Sequence, residues 1–198
     1  MSRPRVVAFC GNLHRPSRSR ALVEALTAEL ARHLPVDAKV YDVLDLGPGF
    51  GSALARADLP LPAARVLDAF EGADALIVGT PVYKGSYTGL FKHLVDFVEP
   101  ARLAGKPVAL TAVGGGPRHA LVVEHQLRPL FGFFTALALP TAVYATEADL
   151  ARTPDGAGYA VADPAVATRL ADAAGQLADA LARKAVPQRV GARLAAAR

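Results

Sequence analysis

The sequence predicts an open α/β fold: a five-stranded parallel sheet, strand order 2-1-3-4-5, with helices on both faces. Three observations lead there. Compact apolar runs alternate with amphipathic stretches along most of the chain, as in Val6-Val7-Ala8-Phe9-Cys10 followed by the stripe Leu22, Leu26, Leu30, Leu34; such alternation builds a parallel sheet clad in helices. The strand runs are continuously apolar, Ala75-Leu76-Ile77-Val78 being the clearest, as strands buried on both faces are. Finally, 198 residues carry five such strands, which favours this order over a six-stranded dinucleotide fold.

Arg5 to Cys10 is the first strand, followed by the loop Gly11 to Arg18. Ser19 to Leu34 is an amphipathic helix that Pro35 ends. Asp37 to Leu44 is strand two, and Gly47-Pro48-Gly49-Phe50-Gly51 breaks the chain before an irregular connection, Gly51 to Leu61. Pro62 to Glu71 is a helix opened by a proline, where proline is tolerated. Ala73 to Thr80 is strand three. Ser86 to Val98 is a helix with Leu90, Leu94, Phe97 and Val98 at helical intervals and Ser86 or Thr88 as N-cap. Pro107 to Val113 is strand four, Gly114-Gly115-Gly116 a loop, Arg118 to Ala136 a helix and Pro140 to Ala145 strand five. Thr153 to Gly158 is a turn-rich spacer, and Ala165 to Ala185 an alanine-rich closing helix. Residues 1–186 thus form one domain of flavodoxin-like order, and 187–198 a basic, flexible tail. In this order strands one and three meet at the topological switch point, where open sheets bind ligands. The loops after strands one, three and four then converge on one cleft.

Composition excludes several classes. Hydrophobic residues make up 52% of the chain, far from the range of disorder. The net charge of +4 is scattered, without the aromatic and basic platform that nucleic acid requires. Cys10 is the sole cysteine, so neither an internal disulfide nor a zinc–thiolate cluster forms, and no metal site is expected. No run approaches the roughly 20 apolar residues of a membrane span, and the N-terminus leads into a strand rather than a signal core. A cytoplasmic protein, without a membrane or nucleic-acid partner, is the expectation.

The three converging loops carry the chemistry. In Gly11-Asn12-Leu13-His14-Arg15-Pro16-Ser17-Arg18-Ser19-Arg20 a helix begins. Its unpaired N–H groups and positive dipole end attract a phosphate, and Asn12, Arg15, Ser17, Arg18 and Ser19 surround it. A capped helix start with solvated arginines is the structural alternative, but two hydroxyls and three arginines crowd this short loop. The loop lacks the Gly-Lys-Ser/Thr ending of a Walker loop and the spaced glycines of a dinucleotide fingerprint. After strand three, Pro81, Val82, Tyr83, Lys84 and Ser86 lie where a flat ring would rest. After strand four, Gly114, Gly115 and Gly116 let backbone approach the ring edge without a side-chain clash; a plain strand–helix turn is the alternative. One terminal phosphate and one flat ring describe a mononucleotide such as FMN. Because a flavin carries its own redox chemistry, no side-chain acid–base pair is expected, and His14, His93, His119 and His125 are not required as general acids.

One helix holds a defect. Pro129 lies inside the stretch Arg118 to Ala136 and cannot donate to the carbonyl of His125. A single wide turn near Glu124-His125-Gln126 would relieve the clash, and such π-bulges concentrate at functional sites; a simple proline kink is the alternative.

At these residues the chain resembles the NADPH-dependent FMN reductase superfamily, and within it the reductases of two-component alkanesulfonate or methanesulfonate monooxygenases. The stretches that carry the resemblance are Gly11 to Ser19, Thr80 to Lys92, Gly105 to Pro107 and Gly114 to Phe131, including His119-Ala120-Leu121 and Leu127-Arg128-Pro129. Asn12 departs from the family wording, in which serine is frequent, and the chain beyond about Asp149 carries little family signal. The resemblance implies oxidation of NADH or NADPH, reduction of FMN, and transfer of the reduced flavin to a partner monooxygenase. It also implies that FMN is a substrate more than a fixed group, that subunits form homodimers or homotetramers, and that His125 matches an inserted aromatic at the tetramer interface. A stand-alone quinone, azo or chromate reductase, and a non-catalytic flavodoxin-like electron carrier, are the alternatives. Carriers tend to be acidic, against the charge found here. The choice of NADH or NADPH stays open.

Overall fold

The computed structural model describes residues 3–185. The basic segment 187–198 lies outside the described residues.

The chain runs β1 (Arg5–Cys10), α1 (Arg18–His33), β2 (Asp37–Asp42), α2 (Leu61–Gly72), β3 (Ala75–Pro81), α3 (Gly89–Asp96) and β4 (Pro107–Gly114). It continues with α4 (Arg128–Phe133), β5 (Leu137–Ala138), β6 (Val143–Thr146), β7 (Leu150–Arg152), β8 (Tyr159–Val161) and α5 (Pro164–Ala185). The sheet order is β2-β1-β3-β4, with both β5 and β6 paired to β4, all parallel. This is the flavodoxin-like order.

Side-chain alternation along the central strands divides the core in two. Val7, Phe9, Leu76, Val78, Leu110 and Ala112 face α2, α3 and α4, where Leu67, Phe70, Phe91 and Phe131 are fully buried. Val6, Ala8, Ile77 and Ala109 face α1 and α5, meeting Leu22, Leu26, Leu30 and Leu177. Each of those leucines, removed wholly from water, stabilises the fold by about 1.5–3 kcal/mol. This double cladding makes the strand runs read as continuously apolar.

Four expectations are corrected. The fifth strand does not run from Pro140 to Ala145: proline cannot donate to a ladder, so the edge splits into β5 before Pro140 and β6 after it. The third helix begins at Gly89, not Ser86, because residues 83–86 form a tight turn and Thr88 caps the helix by accepting from the Phe91 N–H. The stretch 118–136 is not one helix: a 3-10 turn at Pro117–His119 precedes a π-helical segment, Val123–Leu127, which runs into α4. Finally, the turns expected at 153–158 are present, but the segments flanking them pair as an antiparallel hairpin, β7–β8, where the sequence predicts no strands.

Candidate active site

The loops after β1, β3 and β4 meet at the carboxyl ends of the strands. They form one cleft whose lining includes Asn12, Ser17, Arg18, Pro81, Gly115 and Tyr159. The first loop is tied down before it reaches the cleft. The Gly11 N–H donates to the Gly79 carbonyl at 2.8 Å, and Thr88 Oγ1 donates to the Gly11 carbonyl at 2.7 Å. A Cβ at Gly11 would lie 2.8 Å from Phe91 Cβ, so only glycine lets the loop pass this close to α3.

Ser17 is the N-cap of α1, its Oγ accepting from the Arg20 N–H at 3.3 Å and lying 3.0 Å from Ser19 Oγ. The helix N-terminus therefore opens into the cleft. Asn12 is 1% exposed. Its Nδ2 donates to the His14 carbonyl and to Asp42 Oδ2, both at 3.0 Å, while its Oδ1 is buried without a partner.

The three arginines of this loop part company. Arg15 grips Asp42 with two hydrogen bonds, 2.6 and 2.8 Å, and reaches Asp45 at 2.7 Å. Arg20 donates to Asp42 at 2.7 Å and to Glu24 at 2.8 Å. Asp42 is wholly buried, and burial pushes its carboxyl up; the hydrogen bonds from Arg15, Asn12 and Arg20 outweigh burial and hold it below the usual carboxylate range. Arg15 is raised by its bonds to Asp42 and Asp45. Among the three, Arg18 lines the cleft. Its guanidinium lies 4.3 Å from the centre of the Tyr159 ring and 3.6 Å from Glu147, and its Nε is buried without a partner.

The second loop supplies a wall. The Val82 N–H donates to the Val113 carbonyl at 2.8 Å, extending the sheet to its rim. Tyr83 and Ser86 exchange backbone hydrogen bonds across Lys84 and Gly85, both at positive φ, the pattern of a two-residue hairpin turn. Pro81, Val82 and Tyr83 line the cleft. Lys84 and Ser86 sit on the turn beyond it, where Ser86 Oγ lies 3.0 Å from Gln126 Oε1 of the π-helical segment. His125, on the same segment, lines a shallow depression with Gly85, Arg118 and His119.

In the third loop, Gly114 leaves no room for a Cβ because the Tyr144 hydroxyl crosses it to donate to the Gly116 carbonyl at 2.6 Å. Gly115 is the reverse: a Cβ there meets nothing within 4 Å and would project into open space beside the cleft. Gly116 holds the turn through Tyr144 rather than lining the cleft.

Of the residues singled out from sequence, Asn12, Ser17, Arg18, Ser19, Pro81, Val82, Tyr83, Gly114 and Gly115 share the cleft. Arg15, Lys84, Ser86, Gly116 and His125 stand outside its lining. Sequence reasoning missed Asp42, Glu147 and Tyr159. Asp42 ends β2 beside Cys10 in parallel register, a pairing invisible to a local reading of the sequence. Tyr159 sits in a hairpin whose strands are three residues each, too short for an apolar run to announce it.

Cys10 is buried beneath the cleft, and burial pushes its thiol up to about 12; it is a packing residue. Among the described residues no group of three or more His, Cys, Asp or Glu side chains is placed to hold a metal.

A flavin mononucleotide fits this arrangement. The α1 N–H groups favour an anion, Arg18 brings a guanidinium to the lining, and two residues of that lining, Asn12 and Arg18, each carry a buried polar atom without a partner. Each buried polar atom left without a partner costs about 1–3 kcal/mol, which a ligand bearing hydroxyls and a phosphate would recover.

Known proteins share this design. A family model for NADPH-dependent FMN reductase matches residues 4–150. A NADH-dependent FMN reductase, SfnF, from Pseudomonas fluorescens is 53% identical over 152 residues, 76% of this chain and 81% of that one. An FMN reductase (NADPH) from Pseudomonas aeruginosa is 51% identical, with 73% of this chain and 78% of that one covered. The crystal structure of an oxidoreductase from Corynebacterium diphtheriae superposes with a TM-score of 0.77 at 30% identity, covering 92% of this chain and 99% of that one. With its family model spanning three strand-end loops of matching chemistry, the chain belongs to the NADPH-dependent FMN reductase family.

Proposed function

We propose that the protein is an NAD(P)H-dependent FMN reductase that supplies reduced FMN to a partner monooxygenase, of the kind that releases sulfur from sulfonates, in the cytoplasm. The observation that carries the reading is the cleft itself, where a helix N-terminus, Arg18 and the unpaired Asn12 oxygen stand at one end and Pro81, Val82 and Gly115 form a wall beside open space. The relatives named as FMN reductases, 53% and 51% identical over the aligned residues, support it. FMN, when bound, would supply a two-electron acceptor for the hydride of a nicotinamide. The chain's own contribution would be position: backbone of the second and third loops would flank the ring, and the first loop would hold the phosphate. The relatives' names divide between NADH and NADPH, so either donor suits this reading. Self-association as a homodimer or homotetramer belongs to the same proposal. It is supported by Phe133, 73% exposed, beside an apolar groove formed with Phe97, Val98, Leu130 and Phe134. Among the described residues no helix is long and apolar enough to cross a membrane. Oxidation of NADH and of NADPH, followed with and without added FMN, tests the function: rapid oxidation that requires FMN is expected, and oxidation indifferent to FMN would refute it.

A further inference from the structure

Glu147 is out of place. Among the residues lining the cleft it is the one carboxylate, and it stands at the end where a phosphate is to be held. Its position is built rather than incidental. It opens a 3-10 turn, Glu147–Asp149, directly after β6, and Asp149 Oδ2 fixes that turn by accepting from the Thr146 N–H at 2.7 Å and the Thr146 hydroxyl at 2.9 Å. Glu147 Oε2 then lies 3.6 Å from Arg18 Nη1. Tyr159, from the β7–β8 hairpin, holds the same guanidinium from the other side, its ring 4.3 Å away. Arg15 and Arg20 are already committed to Asp42, Asp45 and Glu24. The guanidinium left to serve the cleft is thus the one that Glu147 contacts.

We propose that Glu147 is an affinity-setting residue that competes with the flavin phosphate for Arg18, keeping FMN exchangeable. This rests on the reading of the cleft as an FMN site. The 3.6 Å separation is too long for a good charge-assisted hydrogen bond, and Glu147 is 60% exposed, so the pair is loose and breaks readily. A phosphate, close to doubly charged at neutral pH, displaces the carboxylate from Arg18 but must tolerate it nearby. The outcome is a phosphate site weakened by one charge. A chain that passes reduced FMN onward gains from this, because tight binding would slow release. The cost falls on the phosphate alone, so the same device leaves riboflavin untouched.

The test compares FMN with riboflavin on the intact chain carrying Glu147→Gln, an isosteric change at an exposed side chain. FMN binding, titrated at low salt, is expected to tighten about three- to fivefold, with riboflavin affinity unchanged. The FMN gain is expected to vanish near 1 M salt, where charges are screened within about 3 Å, and to shrink when Arg18→Ala is the background. Equal shifts for both flavins, no shift for FMN, or an undiminished gain without Arg18 would each overturn the proposal. If the unaltered chain binds neither flavin, the FMN reading itself falls, and this inference with it; normal FMN binding with an inert Glu147→Gln sinks the inference alone.

Discussion

Asp42 shows how one residue decides what its neighbours are free to do. By gathering Arg15, Arg20 and Asn12 onto a single buried carboxylate, it turns a loop rich in positive charge into a rigid frame with one guanidinium facing the cleft. Asp42 is wholly buried while Arg15 stays 43% exposed, so the arginines satisfy a carboxylate that burial alone would penalise, and the cluster is a structural brace first. Arg18 and Asn12 are the residues of this loop that line the cleft and, on the proposed reading, would meet the ligand. Gly115 separates ligand binding from stability most cleanly. Because a Cβ there meets nothing within 4 Å, Gly115→Ala is expected to leave the thermal midpoint within about 2 °C of the unaltered chain, an effect below ~0.5 kcal/mol. The methyl group would occupy space beside the flavin, so FMN affinity is expected to fall about tenfold. A lowered midpoint with unchanged FMN binding would show that the glycine serves the turn and not the cleft.

At the scale of elements, the π-helical segment Val123–Leu127 is the feature whose role the fold alone does not require. Pro129 lacks an N–H, and the wider turn just before it removes the need for one. The segment touches the turn just beyond the cleft through Gln126 and Ser86. We expect deletion of His125 to restore ordinary helical spacing, to raise FMN retention through gel filtration and to reduce the mass of the oligomer. Unchanged retention together with unchanged mass would refute a role for the insertion. The same comparison of elements shows what sequence can reveal. The central strands were legible because burial on both faces leaves no polar residue in Val6 to Cys10 or Ala75 to Val78, and the three cleft loops were legible from serine, arginine, proline and glycine at strand ends. Other features were not. Pro140 breaks an edge strand whose apolar residues look continuous, and the β7–β8 hairpin has three-residue strands and no periodic signal. The capture of Arg15 depends on β1 and β2 lying side by side, so a local reading sees a free cation where the fold places a brace.

For the whole molecule, the order β2-β1-β3-β4 places the ends of β1 and β3 side by side and brings the loop after β4 to the same rim. That topology, more than any single residue, makes a phosphate cradle and a ring wall meet. A mild net charge of +4 favours approach of anionic nucleotides without fixing which one. Away from the residues that line the cleft, Phe133 stands 73% exposed beside a groove shared with Phe97, Val98, Leu130 and Phe134, the face on which the proposed self-association rests. If three strand-end loops hold one FMN, as proposed, a crystal structure of the chain soaked with FMN shows it at their meeting point. The phosphate is predicted at the α1 N-terminus beside Arg18, with the ring against Pro81, Val82 and Gly115. Density for FMN anywhere else, or a cleft that stays empty at saturating FMN, would contradict it.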